Sequence, residues 1–279
     1  MSEAGPYIDG MNFIRKAYRS WSSHQTFTKP WSWPSLCRAC ETWTTQALCV
    51  SCLSAAPGPV LRCTSCAMPL AAAPTSTKHG HGPLSTNTRE PPVCVSCLLA
   101  PPPWQRCLAA LPYAPPWSDL ISAFKYQGEA GLVRFLALQM QPLEGIQQLV
   151  EQADLLLPVP LSAQRLQQRG YNQSLLLARA LSPHKTLPDA LLRLRDTPSQ
   201  AALPREDRLH NLTHAIACNP RYLSTLLGQR VVLVDDVLTT GSTLRACTEA
   251  LRSAGVSSVD CIVLARATGL EPPQSALGH

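Results

Sequence analysis

The stretch VVLVDDVLTTGST, Val231 to Thr243, decides the fold. Its apolar start belongs to a short buried strand, Arg230 to Val234, that ends in two acids, Asp235 and Asp236. A Thr/Gly/Ser loop follows and opens an amphipathic helix over Leu244 to Ala254, which Gly255 stops. In an open parallel sheet, ligands sit beyond the carboxyl ends of the strands. A helix amino terminus with free N–H groups attracts anions. Thr239, Thr240, Ser242 and Thr243 add hydroxyl donors at that point, and Gly241 lets the backbone approach a phosphate closely. Adjacent acids at a buried strand end need a polar ligand. Asp235 and Asp236 are placed to accept hydrogen bonds from sugar hydroxyls and to sense a bound Mg²⁺.

Working outward, strands and helices alternate. Val259 to Ala265 (VDCIVLA) and Leu155 to Pro160 (LLLPVP) are further buried strands, and Gln173 to Leu181 (QSLLLARAL) is a helix. Upstream, Trp117 to Tyr126 has helical spacing, with Gly128 as its stop signal. Alternation of this kind implies βαβ units and a parallel sheet, an α/β fold with helices flanking an open sheet. Beyond Gly269 a frayed tail, 269–279, is expected.

The cysteines set a second region apart. Eight of the twelve form four CxxC pairs: Cys37 and Cys40, Cys49 and Cys52, Cys63 and Cys66, Cys94 and Cys97. A CxxC turn presents two thiolates to one tetrahedral ion, so four pairs supply two closed Cys₄ zinc sites with no open position for catalysis. Such sites hold together a segment too short to own a core. Sequential and crossed pairing are both open on spacing alone. Ala71 to Pro92 reads as a flexible excursion between ligands, with His79 and His81 in solvent. Cys107, Cys218, Cys247 and Cys261 are single, in apolar surroundings, and are expected as buried core thiols.

The chain has 279 residues, enough for one good core and a smaller module. Apolar residues make up 45% and charged residues 15%, which excludes a disordered polar chain. The net charge of +6 comes from 24 basic against 18 acidic side chains, with Arg far outnumbering Lys; Arg suits phosphate recognition. No apolar stretch approaches the roughly 18 residues of a membrane span, and the amino terminus lacks the apolar core of a secretory signal. A cytoplasmic protein is expected. Residues 1–36 are expected to form a flexible arm, with Met11 to Trp33 basic and aromatic; a nucleic-acid contact and a start at Met11 are the other readings.

Val231 to Thr243 resembles the thirteen-residue PRPP (phosphoribosyl pyrophosphate) motif of type I phosphoribosyltransferases, with Val237, Leu238, Thr239, Thr240, Gly241, Ser242 and Thr243 as phosphate-binding positions and Asp235 and Asp236 as catalytic ones. Leu155 to Leu181 resembles the ComF competence-protein family, whose VPVP strand and RGxNQ element stand here as Pro158 to Pro160 and Arg169 to Gln173. The resemblance makes Ser162, Arg165 and Arg169 candidate pyrophosphate contacts, with a solvated helix face the alternative for both arginines. Asn172 and Gln173 are expected to bind neighbouring backbone or ligand. Arg195 to Asn211 resembles the family's mobile hood, with Gln200, Leu203, Arg208 and Asn211 at its marked positions; a surface linker is the alternative. Ala123 to Glu129 (AFKYQGE) resembles the LKYxG helix end, so Lys125 either reaches a phosphate or lies on the surface.

The resemblance covers Cys37 to about Thr268 and implies a double zinc-ribbon module, 37–100, with sequential cysteine pairing, before a phosphoribosyltransferase-like domain, 110–268. It also implies PRPP with Mg²⁺ as ligand, a role in DNA uptake or processing during natural transformation, and single-stranded DNA or a helicase as partner. The family resembles amidophosphoribosyltransferases too, but a glutaminase segment is not found here, so glutamine-dependent purine synthesis is not expected. The acceptor is open, and a non-catalytic PRPP- or nucleotide-regulated binding protein is the alternative.

Overall fold

The computed structural model describes residues 34–58, 60–70, 92–194 and 215–269. Residues 1–33 of the amino-terminal arm, most of the excursion with His79 and His81, the hood positions Gln200, Leu203, Arg208 and Asn211, and the tail from 270 lie outside them, whereas the end of the expected flexible arm, Ser35–Leu36, is a strand. Short elements carry the paired cysteines: β1 (Ser35–Leu36) pairs antiparallel with β2 (Trp43–Thr44), and the helices α1 (Val50–Ala55) and α2 (Val95–Leu99) follow. Next come β3 (Cys107–Pro112), α3 (Trp117–Tyr126), α4 (Leu132–Met140), α5 (Glu144–Gln152) and β4 (Leu155–Pro158). They lead to α6 (Ala163–Arg169), α7 (Gln173–Leu181) and the antiparallel pair β5 (Leu191–Arg193) and β6 (Ile216–Cys218). A short α8 (Leu223–Leu226) precedes β7 (Arg230–Leu238), α9 (Ser242–Ser253) and β8 (Ser258–Arg266).

The main sheet is parallel throughout, in the order β3-β8-β7-β4. Both faces of its central strands are apolar, which is why VVLV reads as a run without alternation. Val232, Val234, Ile262 and Leu264 face one core with Phe124, Leu136 and Leu177. Val231, Leu233, Cys261 and Val263 face the other with Leu226, Cys247 and Leu251. In α9 the buried Leu244, Cys247, Thr248 and Leu251 recur at helical spacing, so this helix covers the second face. Gly255 ends it at φ +79°, where an added Cβ would meet the Leu227 side chain at 2.7 Å.

The strand expected to end at Val234 runs on to Leu238, because Asp235, Val237 and Leu238 keep their register with Val263, Ala265 and Arg266 of β8. The two acids therefore belong to the strand rather than to the loop. LLLPVP ends as a strand at Pro158, although the Val159 N–H still donates to the Val234 carbonyl at 2.9 Å. Cys107, Cys247 and Cys261 are buried as expected, but Cys218 is only half-buried, on the small β5–β6 pair, with its thiol 3.4 Å from the Ala250 carbonyl.

The cysteine region docks on both cores. Cys37 and Leu48 join the cluster that holds Trp117 and Leu136, while Ala67 and Trp104 join the one that holds Leu238 and Leu244. An ion pair between Arg38 and Glu129 adds to the first contact.

Candidate functional site

A cavity of about 480 Å³ opens at the carboxyl end of the main sheet. All four strands deliver residues to it: Tyr113 after β3, Val159 to Leu161 after β4, Asp235 to Thr239 and Gly241 to Leu244 along β7 and the turn beyond it, and Ala267 after β8. Arg165, Gln168 and Arg169 of α6, Arg193 of β5, and Lys125 and Tyr126 of α3 complete the wall.

The acids are held in fixed positions. The Ser174 hydroxyl, on α7, donates to Asp235 Oδ1 at 2.9 Å, and the Asp236 N–H donates to the same oxygen at 2.9 Å. Burial first, and the neighbouring Asp236 charge second, push the Asp235 carboxyl up to about 7. Asp236 Oδ1 lies 3.0 Å from Lys125 Nζ, with only 11% and 13% of the two side chains exposed. Burial works against the Lys125 charge, yet Asp236 outweighs it and holds the ammonium above its ordinary value. Lys125 is thus not a surface lysine: from the end of α3 it lines the cavity and faces the acid.

Gly241 takes φ +79° at the amino end of α9. A side chain would be crowded there, since a Cβ would meet the Trp104 ring at 3.2 Å and Leu238 at 3.5 Å. Thr239, Ser242 and Thr243 line the cavity, whereas Thr240 lies outside the lining, with its hydroxyl 3.0 Å from that of Ser242.

Of the expected pyrophosphate contacts, Arg165 and Arg169 reach the cavity. Arg169 stacks 4.9 Å over the Tyr126 ring and donates to Gln173 Oε1 at 3.1 Å. Ser162 does not reach it; the hydroxyl is buried and caps α6 by accepting from the Arg165 N–H at 3.3 Å. Asn172 and Gln173 turned to the backbone. Asn172 caps α7 through the Ser174 and Leu175 N–H groups and donates to the Val159 carbonyl at 3.0 Å, which ties α7 to the end of β4. Gln173 is fully buried and donates to the Phe124 carbonyl at 3.4 Å.

Sequence reasoning missed Ser174, Tyr113, Arg193, Trp104 and Arg266. Ser174 and Arg266 left a signal, a hydroxyl beside the RGxNQ element and a charge closing an apolar strand. Trp104 left none, because only the folded chain brings it to Gly241.

The structure also settles the cysteine pairing. Among the described residues, Cys37, Cys40, Cys49 and Cys52 form one cluster and Cys63, Cys66, Cys94 and Cys97 the other, each with its sulfurs within 4.8 Å. This is the sequential arrangement, and the crossed one falls. Cys40 and Cys49 Sγ, like Cys66 and Cys94 Sγ, stand 3.7 Å apart. A zinc tetrahedron with Zn–S bonds of about 2.3 Å has edges of about 3.8 Å, so both sets fit the ion. The two sites are built alike. Glu41 (φ 59°) and Ala67 (φ 57°) turn the chain after the second cysteine, and the third cysteine's N–H donates to the first's sulfur at 3.3 Å in each. Burial pushes the Cys37 and Cys63 thiols up, but the surrounding N–H donors outweigh it and bring them down to about 6 and about 7, favouring the thiolate that a metal needs. Two closed Cys₄ sets could hold zinc ions in structural roles.

The phosphoribosyl transferase domain family matches residues 177–277. Competence protein F of Haemophilus influenzae is 35% identical over 181 residues, 62% of this chain and 78% of that protein. DNA utilization protein YhgH of Escherichia coli O6:H1 is 32% identical over 249 residues, 84% of this chain and 97% of that protein. Competence protein ComFC of Bacillus subtilis is 30% identical over 145 residues, 50% of this chain and 57% of that protein. Among the described residues, no helix is long and apolar enough to cross a membrane.

Proposed function

The chain belongs to the ComF-type competence-protein family, and we propose that it binds PRPP with Mg²⁺ in the cavity and transfers the phosphoribosyl group to an acceptor in DNA uptake or processing. The observation that carries this reading is a convergence: the acid pair, the Gly241 turn and two arginines of α6 line one cavity at the carboxyl ends of four parallel strands.

In this reading the 5-phosphate lies against Thr239, Gly241, Ser242 and Thr243, where the amino end of α9 favours an anion. The ribose hydroxyls donate to Asp235 and Asp236. Ser174 and Lys125 fix these carboxylates before the ligand arrives, so that little orientation is left for the reaction itself. Arg165 and Arg169 meet the pyrophosphate, for which planar guanidinium groups are suited. Magnesium supplies charge neutralisation on the pyrophosphate, and the acid pair offers it carboxylate oxygens. As the bond from the ribose carbon to pyrophosphate breaks, its electron pair leaves with pyrophosphate. Positive charge then develops on the ribose, beside the acids.

The names of the relatives support the link to DNA, and the Arg excess suits contact with nucleic-acid phosphates. A pyrophosphate-release screen tests the transferase half of the proposal, with PRPP, Mg²⁺ and a panel of ammonia, nucleobases, nucleosides and single-stranded DNA. Release that rises with one acceptor class supports transfer. Binding of PRPP without acceptor-dependent release would instead make the ligand a regulator of a DNA- or helicase-binding protein.

A further inference from the structure

The second cysteine set and the turn after β7 are joined by two side chains. Arg266 closes β8 and is buried. Its Nε donates to the Cys66 carbonyl at 2.9 Å, and its Nη1 donates to the carbonyls of Leu238 at 2.8 Å and Thr239 at 2.6 Å, and to that of Ala267. Trp104 Nε1 donates to the Ser65 carbonyl at 2.6 Å, and its ring edge occupies the space beside Gly241. The Cys107 N–H takes the preceding carbonyl, Thr64, at 2.7 Å. Three successive carbonyls of the Cys63 to Cys66 turn are therefore used as anchors, one for the sheet and two for the segment from Leu238 to Gly241. The first cysteine set offers no such bridge among the described residues; its Arg38 pairs with Glu129, beyond the end of α3.

Charge favours the same arrangement. Arg266 brings a buried positive charge to this junction, where it hydrogen-bonds to carbonyl oxygens. Arg62 Nη1 donates to the Ala67 carbonyl at 3.0 Å, on the same cysteine turn. Four thiolates around a divalent ion are net negative, so a loaded second site adds a counter-charge to the turn that Arg62 and Arg266 bond.

We propose that the second Cys₄ site clamps the turn from Leu238 to Ser242, with Arg266 and Trp104 as positioning residues, so that metal at Cys63, Cys66, Cys94 and Cys97 tightens phosphoribosyl binding and metal at the first set does not. The inference rests on the reading of this turn as the phosphate loop. Coupling between two sites is reciprocal, so PRPP must in turn slow the loss of metal from the second set.

The test uses the full chain loaded with zinc and compares wild type with Cys94→Ser, Cys49→Ser, Arg266→Gln and Trp104→Phe. Two readouts are taken. One is amide exchange, without ligand, at Arg245 and Ala267, whose N–H groups donate to the Gly241 and Leu238 carbonyls. The other is calorimetric affinity for PRPP with Mg²⁺. Cys94→Ser and Arg266→Gln are expected to speed exchange and weaken affinity at least tenfold, and Cys49→Ser to change each less than twofold. Trp104→Phe, which keeps a ring but drops the Ser65 bond, is expected to fall between them and carries the test if Arg266→Gln fails to fold. In wild type, saturating PRPP is expected to slow chelator-driven release of one of the two zinc ions at least threefold. Equal effects of Cys94→Ser and Cys49→Ser, or no effect of Cys94→Ser once one zinc is lost, would overturn the clamp. If wild type binds no PRPP, the phosphate reading fails, and the exchange measurement still decides whether the clamp exists.

Discussion

Replacing Lys125 with Met removes the cation from a nearly buried pair and leaves Asp236 beside a second acid. At the observed 3.0 Å the attraction is about 5 to 6 kcal/mol at an effective dielectric constant of about 20, before desolvation is counted. Removing one partner of a buried pair costs about 3 to 5 kcal/mol. Because this pair borders a cavity, the lower end, about 3 kcal/mol, is expected. The loss should depend on pH. Asp235 stands at about 7 with Lys125 among the groups that hold it down, so the Met variant pushes it further up. An acid raised in the folded state binds more protons folded than unfolded, and its stability is full below about pH 4 and lost as pH rises towards the folded value. Urea unfolding at fixed zinc should therefore show a deficit for Lys125→Met that is smallest near pH 5 and largest near pH 8. Adding Asp236→Asn should restore at least half of it, because the uncompensated charge is gone. A deficit below about 1 kcal/mol at pH 8, or a double variant no more stable than the single one, would refute the reasoning.

Gly241→Ala places a Cβ at φ +79° against Trp104, so a strain of about 1 to 2 kcal/mol is expected in the unfolding free energy, together with a loss of PRPP affinity in calorimetry. Arg165→Ala should weaken competition by pyrophosphate more than competition by ribose 5-phosphate, which displacement titrations separate. Arg169→Ala should do the same and also destabilise the fold by about 1 kcal/mol, since it gives up the contact with Tyr126. Elemental analysis should find two zinc ions per chain, and Cys37→Ser and Cys63→Ser should each lose one.

The centre of the sheet was legible because Val231 to Val234 and Cys261 to Ala265 are apolar on both faces and leave no helical period. β3 was not, since CLAALP is short, rich in Ala and closed by Pro, with little β-branched character. The cysteine chemistry is legible in spacing; the pairing is not, and the sequential order that the family resemblance implies is the one the fold brings together. At the site the acids and the Gly241 turn were visible, but their partners were not. Asp236 meets Lys125, Gly241 meets Trp104, and Arg266 meets Cys66 across 200 residues of sequence. Such contacts carry no local pattern. Gly241 shows the consequence most clearly, because its place at the start of the helix is plain in the sequence while its contact with Trp104 is not.

Calorimetric titration of PRPP with Mg²⁺ into the wild-type chain, and into Asp235→Asn and Asp236→Asn, tests the central assignment most directly. Each substitution removes a charged acceptor for a ribose hydroxyl, worth about 1.5 to 3 kcal/mol, so affinity should drop about tenfold or more. Ribose 5-phosphate should compete for the same site. Undiminished PRPP affinity in both variants, or no competition by ribose 5-phosphate, would contradict the assignment of Val231 to Thr243 as the phosphoribosyl site.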